Sequence, residues 1–309
     1  MASSKLPIYS ALVANLAIAV SKFMAASFTG SSSMISEGIH SLVDTSNEVL
    51  LLLGLHKSKK PADAKRPFGY GRELYFWSYV VSISIFGIGG GISFYEGVTH
   101  LQHPVPIEDP IWNYIVLGIA LVFDGISFII ALRTFNAQRG ELGFWRAVRL
   151  SKDPSVFVVL FEDAADVLGL LVALAGVFLG HYLHNPYFDG AASIIIGLIL
   201  ASVSMLLAQE SKSLLLGESA EPEVLRKVAA LTETDPAVIK VNRLLSSYMS
   251  PEEVVLVIHI VFQPGLTTQA ITDAVTRIQR LIQRDLPTIR QICIEPSPAE
   301  GTLPQAAPL

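Results

Sequence analysis

Six stretches of this chain stay apolar for the length of a bilayer crossing, and the polar positions between them form short connections. A helix of about 20 residues spans a hydrocarbon core of ~30 Å. The runs at 8–28, 34–55, 76–98, 111–132, 157–179 and 188–208 each meet that length and predict six membrane-spanning helices. The leading MASSKLP is too short and too weakly basic for a cleaved signal, so the first run is read as a retained helix. After position 208 the pattern changes to that of a soluble domain, beginning QESKSLLLGESAEPE. It predicts a helix at 221–234, strands at 238–247 and 254–262, a helix at 267–284 and a strand at 290–295. Ile271, Val275, Ile278 and Ile282 make one apolar helix face. The strand LVIHIVF is apolar on both faces, as befits the middle of a covered sheet. The α-β-β-α-β order suits a two-layer domain of helices on a sheet. The expected division is a six-helix transmembrane domain at 1–208, a soluble domain at 209–300 and a disordered tail at 301–309.

Composition narrows the class. Of 309 residues, 51% are hydrophobic and 16% charged, with mean hydropathy +0.50, against about 25% charged in a soluble protein. That excess makes an integral membrane protein and excludes intrinsic disorder. A net charge of −5 and a pI near 5.8 argue against nucleic acid as a partner. A lone Cys293 excludes a disulfide scaffold. No Walker-type loop is present, so ATP is not expected as an energy source. Lys57, Lys59, Lys60, Lys65, Arg66 and Arg72 follow the second run, and Arg133, Arg139, Arg146, Arg149 and Lys152 follow the fourth. The connections FTGSS, EGVTHLQHPVPIED and GHYLHNPY hold neither lysine nor arginine. Basic loops stay in the cytoplasm, so both termini are predicted to be cytoplasmic.

A charged side chain at membrane depth costs at least ~2.5 kcal/mol and needs a reason. The second run contains SEGIHSLVD, which places His40 and Asp44 four residues apart on one helix face. The fifth contains FEDAADVLG, with Glu162 and Asp166 in the same relation. The two helices enter from opposite sides, so both pairs reach mid-depth. One imidazole and three carboxylates suffice for a four-coordinate divalent metal. The plainer reading is that these groups pair with one another as packing residues. Asp163 lies three residues before Asp166, so helical geometry alone does not choose between Glu162 and Asp163.

The chain resembles the cation diffusion facilitator family of divalent-metal transporters. The resemblance rests on SSSMISEGIHSLVDTSNEVLLLLG, RPFGYGRELYFWS, NPYFDGAASIIIGLILA and KSLLLGESA. It implies a six-transmembrane-helix bundle with a C-terminal cytoplasmic α+β ferredoxin-like domain, a homodimer, and export of a divalent cation in exchange for protons by alternating access. It also implies a transport site at His40, Asp44, Glu162 and Asp166. Glu162 departs from the histidine usual in the family's zinc transporters. The set mixes an imidazole, which suits zinc, with carboxylates, which suit harder ions. Zinc is the first expectation, and manganese or ferrous iron the second.

The loop segment KRPFGYGRE carries no histidine, so no metal site is expected there. In the soluble domain His259, Cys293 and Glu295 resemble positions that bind regulatory metal in some relatives, although an isolated histidine or cysteine in an apolar strand is usually packed core. Lys22, Asn15 and Asp124 are read as interhelical hydrogen bonders or snorkelling groups, and GIGGGISF as a surface for close helix approach. His100, His103, His181 and His184 fall in the external connections, and Trp77, Trp112 and Trp145 near the membrane interfaces. Two rival classes remain: an intramembrane metal-dependent hydrolase, for which no HExxH signature appears, and a metal sensor that binds without transporting. The membrane is a bacterial inner membrane or a eukaryotic organelle membrane.

Overall fold

Every apolar run is helical, and each helix extends a few residues past its run because backbone hydrogen bonding continues into the polar flanks. The computed structural model describes residues 6–104 and 110–298, and the tail at 301–309 lies outside the described residues. In chain order the helices are α1 (Leu6–Thr29), α2 (Ser32–Ser58), α3 (Glu73–Ser84), a π-helical turn (Ile85–Gly90) and α4 (Gly91–Gln102). Then come α5 (Ile111–Arg139), α6 (Phe144–Leu150), α7 (Pro154–Leu183) and α8 (Tyr187–Leu216). Among the described residues, Glu73–Gln102, Ile111–Ala137 and Tyr187–Leu216 are long and apolar enough to cross a membrane by length and composition. The face of α5 made by Ile119, Val122, Phe123 and Ile130 is exposed, as a lipid-facing stripe must be.

The chain divides into two compact units. One comprises Met1–Lys57 and Glu73–Lys212, the other Ser58–Arg72 and Ser213–Leu309. In the first unit, Gly90 of the glycine run on the third predicted span, and Gly97 beyond the run, bring helices together. A Cβ added at Gly97 would lie 2.7 Å from the Gly190 carbonyl oxygen, and one at Gly197 2.7 Å from the Phe94 amide nitrogen. Only hydrogen fits at that seam between α4 and α8. The short α6, absent from the sequence expectation, is held by rings. Phe144 meets Phe135 edge-on at 5.2 Å and Phe161 at 6.2 Å, and Trp145 stacks on Phe161 at 6.0 Å.

The second unit continues with α9 (Pro222–Thr232), β1 (Val238–Ser250), β2 (Glu253–Phe262), α10 (Thr268–Asp285) and β3 (Ile289–Pro296). Its sheet has the order β1-β2-β3, with β1 antiparallel and β3 parallel to β2. The strand that is apolar on both faces is thus the central one. Leu256, Ile258 and Ile260 of β2 pack with Leu225 and Val228 of α9 and with Ile278 and Ile282 of α10. The basic segment 58–72 belongs to this unit as well. Its Asp63 carboxylate accepts from the Lys65 and Arg66 amides and from the Tyr70 hydroxyl at 2.7–2.9 Å. Arg72 donates to Ser247 Oγ of β1 at 2.9 Å. Gly217, which ends α8 at φ +108°, leaves a gap that a Cβ would close to 2.8 Å from the same Ser247 hydroxyl.

Candidate metal-transport site

The site begins at the N-terminus of α2, whose first amides have no partner within the helix. Asp189, at the start of α8, supplies one. Its carboxylate accepts from the Ser32 amide at 2.6 Å and the Ser33 amide at 3.3 Å. It also accepts from the hydroxyls of Ser31 at 2.8 Å, Ser32 at 3.1 Å and Ser33. An anion at a helix N-terminus is favourable, so this cage fixes the rotation of α2 as well as its end.

With that end fixed, one stripe of α2 faces α7. Glu37, His40, Asp44 and Asn47 are all buried on it. Asn47 donates to Glu162 Oε1 across the helix gap at 2.8 Å. Further along, the Glu37 carboxylate lies beside Gly169. The contacts run in opposite order along the two helices, so α2 and α7 are antiparallel, and Asp166 falls opposite His40 and Asp44. His40 Nδ1 is 3.3 Å from Asp44 Oδ1, and His40 Nε2 lies against Asp166 Oδ1. A donor atom from each of His40, Asp44 and Asp166 lies within 4.8 Å of the other two. His40 is 1% exposed and Asp44 7%. None of these four atoms makes a regular hydrogen bond within the protein. Their close contacts are the two ion pairs with one another, and an imidazole held between two carboxylates inside a helical body has the character of a cation site.

Glu162 and Asp163 point to different helices. The Glu162 carboxylate is turned to Asn47 on α2, and Asp163 accepts from Ser127 Oγ on α5 at 2.9 Å. Glu162 is one turn from Asp166 and buried, but it is not among the three groups that converge. Sequence reasoning missed Asn47, Glu37 and Asp189. The first two were visible in principle, because Glu37, His40, Asp44 and Asn47 repeat at intervals of three and four. Asp189 had no such signal, since its serine partners are more than 150 positions away. Of the residues read as interhelical bonders, Lys22 binds Glu37 and Ser41 and does not snorkel, and Asn15 donates to Glu48 at 2.9 Å.

In the second unit, His259 of β2 is the direct register partner of Glu295 on β3, with Nδ1 3.5 Å from Oε2. Cys293 is opposite Val257 and so shares their sheet face, as a free and exposed thiol. Among the described residues no three such groups converge there.

Residues 8–216 match the cation efflux transmembrane domain family. The chain is 40% identical over 219 residues to the human mitochondrial proton-coupled zinc antiporter SLC30A9, covering 70% of this chain and 39% of that one. It is 37% identical to the Xenopus laevis protein of the same name over 75% of this chain and 42% of the relative. It is 29% identical to metal tolerance protein C4 of Arabidopsis thaliana over 72% of this chain and 50% of that protein. The chain thus spans about two fifths of the SLC30A9 proteins it matches. An apolar helical body with charged groups converging inside it, and a family match over most of its length, agree: the chain is an integral membrane member of the cation diffusion facilitator family, whose proteins are transporters and not enzymes.

Proposed function

We propose that the chain exports zinc from the cytoplasm in exchange for protons, by alternating access around His40, Asp44 and Asp166, with Glu162 completing the set. The convergence of an imidazole and two carboxylates from α2 and α7, with donor atoms that meet one another, carries this reading. The zinc and proton assignments draw support from the printed name of the SLC30A9 relatives. His40 supplies the coupling chemistry. A metal takes the lone pair of a ring nitrogen, and a proton takes the same lone pair. A doubly protonated ring between Asp44 and Asp166 holds the place that a divalent ion would occupy, so loading the ion expels the proton. Glu162 reaches the ion by leaving Asn47 and turning one rotamer toward Asp166.

The same proposal includes six membrane-spanning helices, cytoplasmic termini, a ferredoxin-like C-terminal domain and assembly as a homodimer. The membrane is a bacterial inner membrane or an organelle membrane, and manganese and ferrous iron are the competing ions. A regulatory metal at His259, Cys293 and Glu295 would need a third group to join the His259–Glu295 pair, since among the described residues no three converge there. Purified full-length protein in sealed liposomes, with zinc and pH indicators inside, tests the core of the reading. Zinc entry coupled to proton exit supports it, as does loss of flux when an ionophore collapses the imposed pH gradient. Zinc flux that neither follows the gradient nor moves protons refutes the antiport.

A further inference from the structure

Beside the His40 cluster the helical unit encloses a second charged group. Lys22 of α1 is 1% exposed and Glu37 of α2 0%. Lys22 Nζ lies 3.1 Å from Glu37 Oε2 and donates to Ser41 Oγ at 2.8 Å. The other carboxylate oxygen, Glu37 Oε1, is buried without a hydrogen-bond partner. It faces α7 at Gly169, where an added Cβ would sit 2.6 Å from it. Any side chain at that position would therefore occupy the space beside Oε1.

An ionised carboxylate offers about four lone-pair sites. A pair that served packing alone would satisfy both oxygens, because a half-satisfied buried anion is expensive. Here one oxygen is held by the ammonium, and the other lies against Gly169 of the helix that also carries Asp166, without a hydrogen-bond partner. Glu37 precedes His40 by three residues, so it lies about 4.5 Å further along the helix axis toward the end held by Asp189. On the proposed topology that is the exit direction.

We infer that Glu37 is a second, transient divalent-cation site between the His40–Asp44–Asp166 cluster and the N-terminal end of α2, occupied in this conformation by the Lys22 ammonium as a tethered substitute for the ion. The inference rests on the proposed export function. Lysine suits the task because it is a compact point charge on a flexible stem, with three donors that rearrange singly. Ser41 keeps hold of the ammonium when Glu37 turns to the arriving ion. The displaced ammonium then stands beside a dication and repels it, so the ion is held weakly and leaves. Its return to Glu37 restores the neutral pair and closes the way back.

The experiment counts bound zinc on the purified full chain at mildly alkaline pH, by equilibrium dialysis and elemental analysis. Lys22→Met is expected roughly to double the zinc retained per chain, because a buried carboxylate stripped of its counter-charge must take up a proton or another cation, and the alkaline pH disfavours the proton. Adding Glu37→Gln to that variant should return the amount to the native level. Lys22→Arg keeps the charge and should bind as the native protein does. If Lys22→Met does not assemble, Lys22→Gln, which still donates to Ser41, carries the same expectation. Unchanged zinc in the neutral variants overturns the inference, and so does extra zinc that persists with Glu37→Gln. Asp44→Asn with Asp166→Asn in the native background should lose the original zinc, and that arm tests the transport site independently of Glu37.

Discussion

Asp44→Asn removes one charge from the convergent cluster while keeping volume and shape. Asp44 is 7% exposed, and its Oδ1 lies 3.3 Å from His40 Nδ1 with no hydrogen bond of its own. Two unit charges about 4 Å apart attract by about 4 kcal/mol at an effective dielectric constant of 20, so a dication and this carboxylate attract by about 8 kcal/mol. The amide oxygen keeps an ion–dipole interaction, and the carboxylate's desolvation penalty of several kcal/mol disappears with it, which together offset about half. The remaining loss of ~4 kcal/mol corresponds to a weakening of about a thousandfold in Kd. Competition against a fluorescent zinc chelator, on the full chain in detergent, measures that ratio. Asp163→Asn is the control, because its carboxylate is turned to Ser127. A loss below about tenfold in Asp44→Asn, or an equal loss in the control, refutes Asp44 as a ligand.

Glu162→His should raise preference for zinc over manganese by about tenfold, since one hard oxygen donor is replaced by an imidazole; an unchanged ratio in a competition assay would restrict Glu162 to its bond with Asn47. The two-point ion pair between Arg277 and Asp235, both bonds at 2.9 Å, holds the Asp235 carboxyl below its usual range. A folded-state value that is depressed adds stability above the unfolded value of about 3.9, and that stability disappears as pH falls through the folded value. Arg277→Gln should therefore lower the Tm of the C-terminal unit at neutral pH, and the gap should close in strong acid. A gap that widens in acid contradicts the assignment.

Most of the fold was legible because two periodicities were clean. Apolar runs of bilayer length mark the long helices, and β2 reads as central because Val254, Leu256, Ile258 and Ile260 alternate with Val255, Val257 and Val261, with His259 the one polar residue among them. The short α6 escaped because its stability comes from Phe135 and Phe161 on other helices, which no local pattern reports. In the site, the spacing of His40 with Asp44 placed both on one face, and Asp166 meets them as the antiparallel geometry requires. The choice between Glu162 and Asp163 was not legible. Adjacent helical residues point about 100° apart, so the answer depends on which neighbour offers Asn47 and which offers Ser127.

The serine cage around Asp189 makes α2 a lever. A helix pinned at Ser31–Ser33 moves by rotation about that end, so displacement grows with distance from it. His40 is about 12 Å from the pivot and Ser58 about 39 Å. A swing that parts His40 from Asp166 by 1 Å therefore carries the far end of α2 through roughly 3 Å. The gearing runs both ways: a displacement at Lys57, within the first unit, arrives at His40 reduced about threefold in travel and correspondingly increased in force.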